Sequence, residues 1–431
     1  MPASPTDTIF AVSSGAAPAA IAVLRISGED AISAAAGMAN QLPPPRRAGL
    51  RRLHDAAGNT LDHALILIFP APNTATGEDL VEFHLHGGRA IVAAVEAELA
   101  TKPGLRRAEP GEFTRRALGA GRIDLAQAEG LADLLAAETE TQRRVALSAA
   151  EGALGQKLHS WTQTLLMLSA RAEAQIDFAD EDDVAADERA VSDLRHDVGL
   201  LAAELDDVLA QPPVERIRDG LRVVLAGPPN SGKSSLLNAL AERPVSIATP
   251  IAGTTRDRIE APVMRDGAAY ILIDTAGLVD ETNDPVEAIG VGLAKSAINE
   301  ADILLWLGDD PGPQGAVALH PRADLPDRAA VPASKISVSV TTGAGISEVW
   351  LAIARRSAIL LPRVDRLLLN ERQRTHVAQA SMALARAHQC ADPMLIAEEL
   401  RLARLSFDAV TGVVHTEQML DALFGRFCIG K

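Results

Sequence analysis

The rhythm of apolar and polar residues changes several times along the chain, and each change marks a different kind of structure. Up to residue 118, short apolar runs bounded by turn residues predict strands: TIFAV at 8–12, AAIAVLRISG at 19–28, HALILIFPAP at 63–72 and LVEFHLHGG at 80–88. RAIVAAVEAELAT at 89–101 predicts an amphipathic helix, so 1–118 reads as an α+β domain. From 119 to 216 the spacing becomes helical, through IDLAQAEGLADLLAAET and HSWTQTLLMLSARAEAQI, with an acidic break, DFADEDD, at 177–183. Pro212-Pro213 reads as a linker. Residues 217–362 alternate strand and helix, the pattern of a mostly parallel sheet covered by helices, and 363–431 is helical again. The simplest arrangement is a multidomain α/β chain in which a nucleotide domain is inserted into a discontinuous all-α domain.

Composition narrows this further. With 431 residues, 47% hydrophobic and 23% charged, the chain is globular and long enough for two or three domains. No window holds the 18 or more uncharged apolar residues of a membrane span, so no membrane association is expected. The start, MPASPTDTIFAV, lacks a basic segment leading into an apolar one, and only Cys390 and Cys428 are present, so a cytoplasmic location is expected. The net charge of −16 argues against a protein that coats nucleic acid by itself. An RNA partner must meet local arginines (Arg46, Arg47, Arg51, Arg52, Arg106, Arg107, Arg115, Arg116) or a helper protein; any of these clusters is equally an ordinary solvated surface. Cys390 is expected in a core.

The chemistry centres on GPPNSGKSS, Gly227 to Ser235, which follows the apolar run Leu221 to Ala226 and opens a helix-like segment. Glycines let backbone amides face phosphates, so Asn230, Ser231, Gly232, Lys233, Ser234 and Ser235 are expected to hold a nucleotide, with Lys233 as point charge and Ser234 on Mg²⁺. Thr254 and Thr255 follow in GTTRD, where Thr255 can complete the Mg²⁺ shell; Asp274, Thr275, Ala276 and Gly277 follow at the end of an apolar strand. This order, with SVTTG from Ser339, resembles the motifs of translation-factor-like GTPases, which implies a Ras-like P-loop domain. The base-reading motif departs from the family's Asn-Lys-x-Asp: Pro321-Arg322-Ala323-Asp324 stands there. Asp324 reads either as acceptor for the guanine N1 and N2 donors or as a plain loop carboxylate. Leu278 follows DTAG, so no side-chain amide positions water there, and GDDPGPQG at 308–315 is short for a helical crossover.

Segments outside the nucleotide motifs carry a second resemblance. LRISG at 24–28, GEDLVEFHLHGG at 77–88, PGEFTRRA and RIDLAQAE within 110–129, and the terminal FCIGK together resemble the MnmE (TrmE) family of tRNA modification GTPases over nearly the whole chain. The resemblance implies an N-terminal folate-binding and dimerisation domain, a helical domain in two segments and an inserted GTPase domain. It implies a homodimer working with MnmG, an FAD protein, to install a carboxymethylaminomethyl or aminomethyl group on the wobble uridine of certain tRNAs. It further implies a 5-formyl- or 5,10-methylene-tetrahydrofolate ligand, with GTP hydrolysis driving a conformational cycle. Matching positions place K⁺ on Asn230, Thr249, Ile251 and Thr254, a water-orienting carboxylate at Glu287, and folate contacts at Arg25, Glu82, Arg122 and Lys431. Cys428 reads as a nucleophile near folate or as a small buried hydrophobe, and His84 with His86 as packing beside the folate cleft or as a two-histidine metal site. Two other functions fit the nucleotide motifs alone: a regulatory GTP-binding or ribosome-associated factor, and a folate enzyme with a degenerate GTPase domain.

Overall fold

The computed structural model describes residues 7–179, 188–241, 259–275, 296–326, 328, 332–412, 417–425, 427 and 429–430. Two compact units emerge, each built from separated segments: Met1–Leu135, Leu147–Ser169 and Arg401–Lys431 form the first, and Ala136–Ala146 with Ala170–Leu400 the second.

In the first unit, strands β1 (Thr8–Val12), β2 (Ile21–Ser27), β3 (Gly49–His54), β4 (Thr60–Phe69), β5 (Leu80–His86) and β6 (Leu105–Arg107) form one sheet in the order β3-β4-β5-β2-β1-β6. Neighbours are antiparallel except β1 and β6. β2 alternates, sending Ala22, Leu24 and Ile26 into the core with Phe10, Ile66 and Phe83, where Val95 and Leu99 of helix Arg89–Ala100 meet them. Arg25 points to the opposite face.

Two strands carry residues that read in the sequence as basic surface. β3 contains Arg51 and Arg52, and β6 contains Arg106 and Arg107. Their guanidiniums are committed: Arg106 donates to Glu112 at 2.6 and 2.9 Å and to Asp7 at 3.2 Å, and Arg107 pairs with Glu96 at 3.0 Å. Arg116 reaches Glu112 at 3.2 Å and Glu78 at 3.1 Å, while Arg115 pairs with Asp421 at 3.0 Å. Arg106 and Arg116 therefore share a half-buried charge network with Glu112 and Glu78, while Arg107 and Arg115 stay exposed in separate surface ion pairs. Burial acts to raise the Glu112 carboxyl, but hydrogen bonds from Arg106 and the Glu109 amide outweigh it and hold the group below its usual range.

The late residues of this unit return to its first strand. Ser13 Oγ donates to the Gly430 carbonyl at 2.7 Å, and Ile429 bridges Pro110. Phe424 and Phe427 pack with Leu125 and Ala128. Gly111, at φ 68°, lies so close to this segment that a β-carbon would stand 2.7 Å from the Phe424 carbonyl oxygen. Nearby, Trp161 of helix Ala153–Ala179 stacks on Phe407 of helix Pro393–Thr411 with centroids 5.8 Å apart.

In the second unit, helices Glu188–Leu209 and Glu371–Gln389 pack at Gly199, where a β-carbon would stand 2.7 Å from His388 Nδ1. Arg195 donates to the His388 carbonyl at 2.7 Å, and His388 Nδ1 donates back to the Arg195 carbonyl at 2.8 Å. Cys390, just after the second helix, is half-exposed rather than in a core: that helix ends at Gln389, and the cysteine enters the turn toward Asp392.

The second sheet comprises β7 (Leu221–Ala226), β8 (Ile259–Arg265), β9 (Ala268–Asp274), β10 (Ile303–Trp306), β11 (Val317–Pro321) and β12 (Ile336–Val338), in the order β12-β11-β10-β7-β9-β8. Only the β8–β9 pair is antiparallel. β7 is central and nearly continuous in apolar residues, as a strand covered on both faces requires. β10 and β11 are parallel neighbours, yet residues 307–316 join them without a helix. The loop is pinned instead. Trp306 Nε1 donates to Asp310 at 2.9 Å, and Lys335 Nζ donates to the carbonyls of Gly308, Asp309 and Asp310 at 2.7, 2.8 and 3.2 Å. Arg328 clasps Asp309 through two bonds, at 3.0 and 2.9 Å.

Replacing Lys335 with Met leaves those three carbonyls without their charged donor, which should destabilise the second unit by about 1–3 kcal/mol. Urea unfolding followed by tryptophan fluorescence checks this; an unchanged midpoint would show that the loop stands without the clamp.

Candidate functional site

The site forms where β7 ends. Gly227, at φ 151°, passes under the Leu307 backbone, and a β-carbon there would lie 3.0 Å from its carbonyl. Asn230 at φ 58° and Gly232 at φ 97° supply two further left-handed turns, which a short amide side chain and a glycine tolerate. The chain then enters helix Lys233–Leu240, where the Leu236 amide donates to the Gly232 carbonyl at 2.9 Å, and Gly232 offers no side-chain cap. The amides of the first turn therefore face the loop's hollow, and the positive end of the helix dipole favours an anion there.

Two opposite charges are buried beside this hollow. Lys233 Nζ turns back onto its own loop, donating to the carbonyls of Pro228 at 2.9 Å and Gly227 at 3.2 Å. Burial depresses the Lys233 ammonium, and the Asp274 charge opposes that shift. Asp274 sits at the end of β9, in register with Leu225 of β7. Burial pushes its carboxyl up, while the Ser234 hydroxyl, which donates to Asp274 Oδ2, and the Lys233 charge pull it down. Asp274 Oδ1 and Ser231 Oγ are buried with no hydrogen-bond partner. Thr275 is fixed by its hydroxyl, which donates to the Leu225 carbonyl at 2.9 Å. An orphaned carboxylate oxygen beside a serine hydroxyl is the hard-oxygen donor set that Mg²⁺ takes, and the residues fit that ion.

At the neighbouring strand ends, Pro321 closes β11 and pairs with Val338 of β12. The Asp324 carboxyl is held low, first by a hydrogen bond from Ser339 and more weakly by one from Thr341. Asp324 is exposed and Ser339 buried, at the ends of the neighbouring strands β11 and β12. Arg322 completes this corner, with Nε 3.9 Å from where a β-carbon would stand on Gly232. In the sequence, the signal for Arg322 is a cation at the lysine position of the four-residue motif.

The structure thus brings together Asn230, Ser231, Gly232, Lys233, Ser234, Asp274 and Thr275, with Asp324 and Ser339 paired at the adjacent strand ends. In the first unit, Arg25 and Glu82 face each other across β2 and β5, with Nε to Oε1 at 2.8 Å, and His84 lies 3.4 Å from the other Glu82 oxygen. His86 instead pairs with buried Asp62 at 2.7 Å, and among the described residues no group of three metal-binding side chains occurs. Arg122 lies against Gly77, in the loop before β5. Thr249, Ile251, Thr254, Thr255, Ala276, Gly277, Leu278, Glu287, Cys428 and Lys431 lie outside the described residues. Among the described residues, no helix is long and apolar enough to cross a membrane.

Comparison with known proteins gives a consistent picture. The family model described as "GTP-binding protein TrmE N-terminus" matches residues 8–122, and that described as "MnmE helical domain" matches residues 125–428. A protein from Erythrobacter litoralis named tRNA modification GTPase MnmE is 52% identical over 426 residues, covering 99% of this chain and 100% of its own. One of the same name from Rhizorhabdus wittichii is 53% identical over 434 residues, covering 100% of this chain and 98% of its own. Among solved structures, the G domain of the T. maritima FeoB iron transporter matches at 22% identity and a TM-score of 0.25, over 32% of this chain and 98% of that one. So low a score carries no weight for the fold, which stands on the strand order.

The raised Asp274 carboxyl has a measurable consequence. A folded-state value above the unfolded one adds stability only at acid pH and loses it as pH rises through the folded value, so ionised Asp274 is a liability to the ligand-free protein at neutral pH. Asp274→Asn should raise the melting temperature without nucleotide at pH 7, with the gain shrinking toward about pH 4, and should abolish the Mg²⁺ dependence of nucleotide binding. A melting temperature that falls at pH 7 would contradict it.

Proposed function

The chain belongs to the MnmE family of tRNA modification GTPases, and from that premise we propose that it hydrolyses GTP in a K⁺-dependent cycle coupled to modification of the wobble uridine in certain tRNAs. The observation that carries the reading is the pre-formed phosphate loop, in which Lys233, Ser234 and a half-satisfied Asp274 converge, with Arg322 of the Asp324 turn beside Gly232.

The amides from Asn230 to Ser235 receive the β- and γ-phosphates, and Lys233 exchanges its loop carbonyls for phosphate oxygens. Ser234 and Asp274, joined by Thr255, hold Mg²⁺, which neutralises charge between the phosphates. Ala276 and Gly277 bring an amide toward the γ-phosphate. Potassium at Asn230, Thr249, Ile251 and Thr254 supplies the positive charge that an inserted arginine provides elsewhere. With Leu278 unable to position water, Glu287 orients it. Asp324 accepts from guanine N1 and N2.

In the first unit, Arg25, Glu82, Arg122 and Lys431 bind a tetrahydrofolate derivative that supplies the one-carbon unit. Glu82 keeps acceptor capacity beyond its bond with Arg25, which suits the donor edge of a pterin, while Arg122 and Lys431 suit the glutamate tail. Cys428 acts as the nucleophile in that chemistry. The protein acts as a homodimer with MnmG, whose FAD supplies the redox chemistry, and tRNA is the substrate of the pair. The domain limits accompanying this reading are 1–118, 119–216 with 363–431, and 217–362.

Turnover measured with GTP and ATP, in K⁺ and then in Na⁺, tests the nucleotide half. GTP hydrolysis should exceed ATP hydrolysis and depend on K⁺; Asn230→Ala should fall to the Na⁺ rate, and Glu287→Ala should lose about 10²–10⁴-fold. Cation-blind turnover would remove the potassium assignment. Mass spectrometry of wobble nucleosides from cells lacking the protein tests the tRNA half, and an intact modification there would overturn it.

A further inference from the structure

The base-reading corner lacks one of the groups expected there. Pro321 occupies the position of the family motif's asparagine, is buried at the end of β11 and carries no side-chain donor. Asp324, an acceptor only, serves the edge of guanine that carries the N1 and N2 donors. The opposite edge, with the O6 and N7 acceptors, needs a donor that neither residue provides.

Arg322 stands between them with the required properties. Its backbone adopts φ 57°, a conformation that costs any residue with a β-carbon and persists only when the surroundings impose it. Two backbone bonds impose it: the Ala323 amide donates to the Val338 carbonyl at 3.1 Å and the Leu325 amide to the Arg322 carbonyl at 3.1 Å, locking the turn. The side chain is exposed and runs to the phosphate loop, placing Nε 3.9 Å from the β-carbon position of Gly232. Most arginines of this chain clasp a carboxylate or carbonyl; among the described residues, the Arg322 guanidinium has no hydrogen bond or ion pair. Its donors are free, and its Nε stands beside the phosphate loop.

We propose that Arg322 is a specificity-determining residue, donating to guanine O6 and N7 in place of the amide that Pro321 removes. Arginine pairs with those two acceptors through a planar fork, and because it has no acceptor of its own it meets the adenine 6-amino group donor to donor. Arg322 and Asp324 then read opposite edges of one base, each rejecting adenine for the same reason of unmatched donors or acceptors. The inference rests on the guanine-nucleotide reading above and adds to it the residue that holds the second edge.

Binding of GDP and of 7-deaza-GDP, in which N7 is replaced by C–H, separates the two ideas by calorimetry without any turnover. The wild-type protein should prefer GDP by about tenfold, the worth of one charge-assisted hydrogen bond. Arg322→Gly, which suits the positive φ and so should not disturb the turn, should bind both nucleotides with equal, weaker affinity. Arg322→Lys, keeping charge without the fork, should retain less than the wild-type preference. Equal binding of both nucleotides by the wild type, or a preference that survives in Arg322→Gly, would overturn the role of Arg322 while leaving guanine binding intact. Failure of the wild type to bind either one would overturn the nucleotide reading itself.

Discussion

Taking Lys233 and Asp274 out of water side by side is the constraint on which the second unit is built. Burial drives both toward neutrality, and they do not meet in a direct ion pair; Ser234 satisfies one carboxylate oxygen and the loop carbonyls satisfy the ammonium. An arrangement this unfavourable survives only because the frame around it is fixed by other forces. β7 is buried along its length, its register with β9 sets Asp274 opposite Leu225, and Gly227 lets the chain pass beneath Leu307. Local strain of this sort collects where ligands bind, and the core opposite carries its cost.

Much of this was legible in the residues themselves. The phosphate loop is readable because glycine, lysine and serine at fixed spacing admit few other uses, and β2, β4 and β5 because alternation or a long apolar run betrays them. β3 and β6 were not readable as strands. In GLRRLH two adjacent arginines outweigh the alternation, and LRR is too short for any period to show. The arginine clusters stayed ambiguous for a related reason: partners such as Asp421 for Arg115, or Asp7 for Arg106, lie far off in sequence, so local charge density says nothing of whether a cation is paired. Cys390 illustrates the reverse case, where the usual burial of cysteine yields to a helix that simply ends.

The link between β10 and β11 shows how a parallel pair can dispense with its covering helix. A helix would satisfy its own backbone, whereas a bare loop leaves carbonyls exposed, and here side chains from elsewhere in the fold meet them. Lys335 and Arg328 come from the segment before β12, so the last connection of the sheet clamps an earlier one. The same sheet edge carries Pro321 and Ser339, which ties the rigidity of the base-reading corner to that clamp.

The stitch between Ser13 and Gly430 bears on biosynthesis. Strand β1 leaves the ribosome early, while the segment that closes against it is translated roughly 20–80 s later at ~5–20 residues per second. Throughout that interval the edge near Ser13 and Gly111 stays open, and a nascent chain would show it to chaperones or to a second copy. Only a chain translated through Gly430 can close the edge beside Ser13, so termination between the two would leave this unit open.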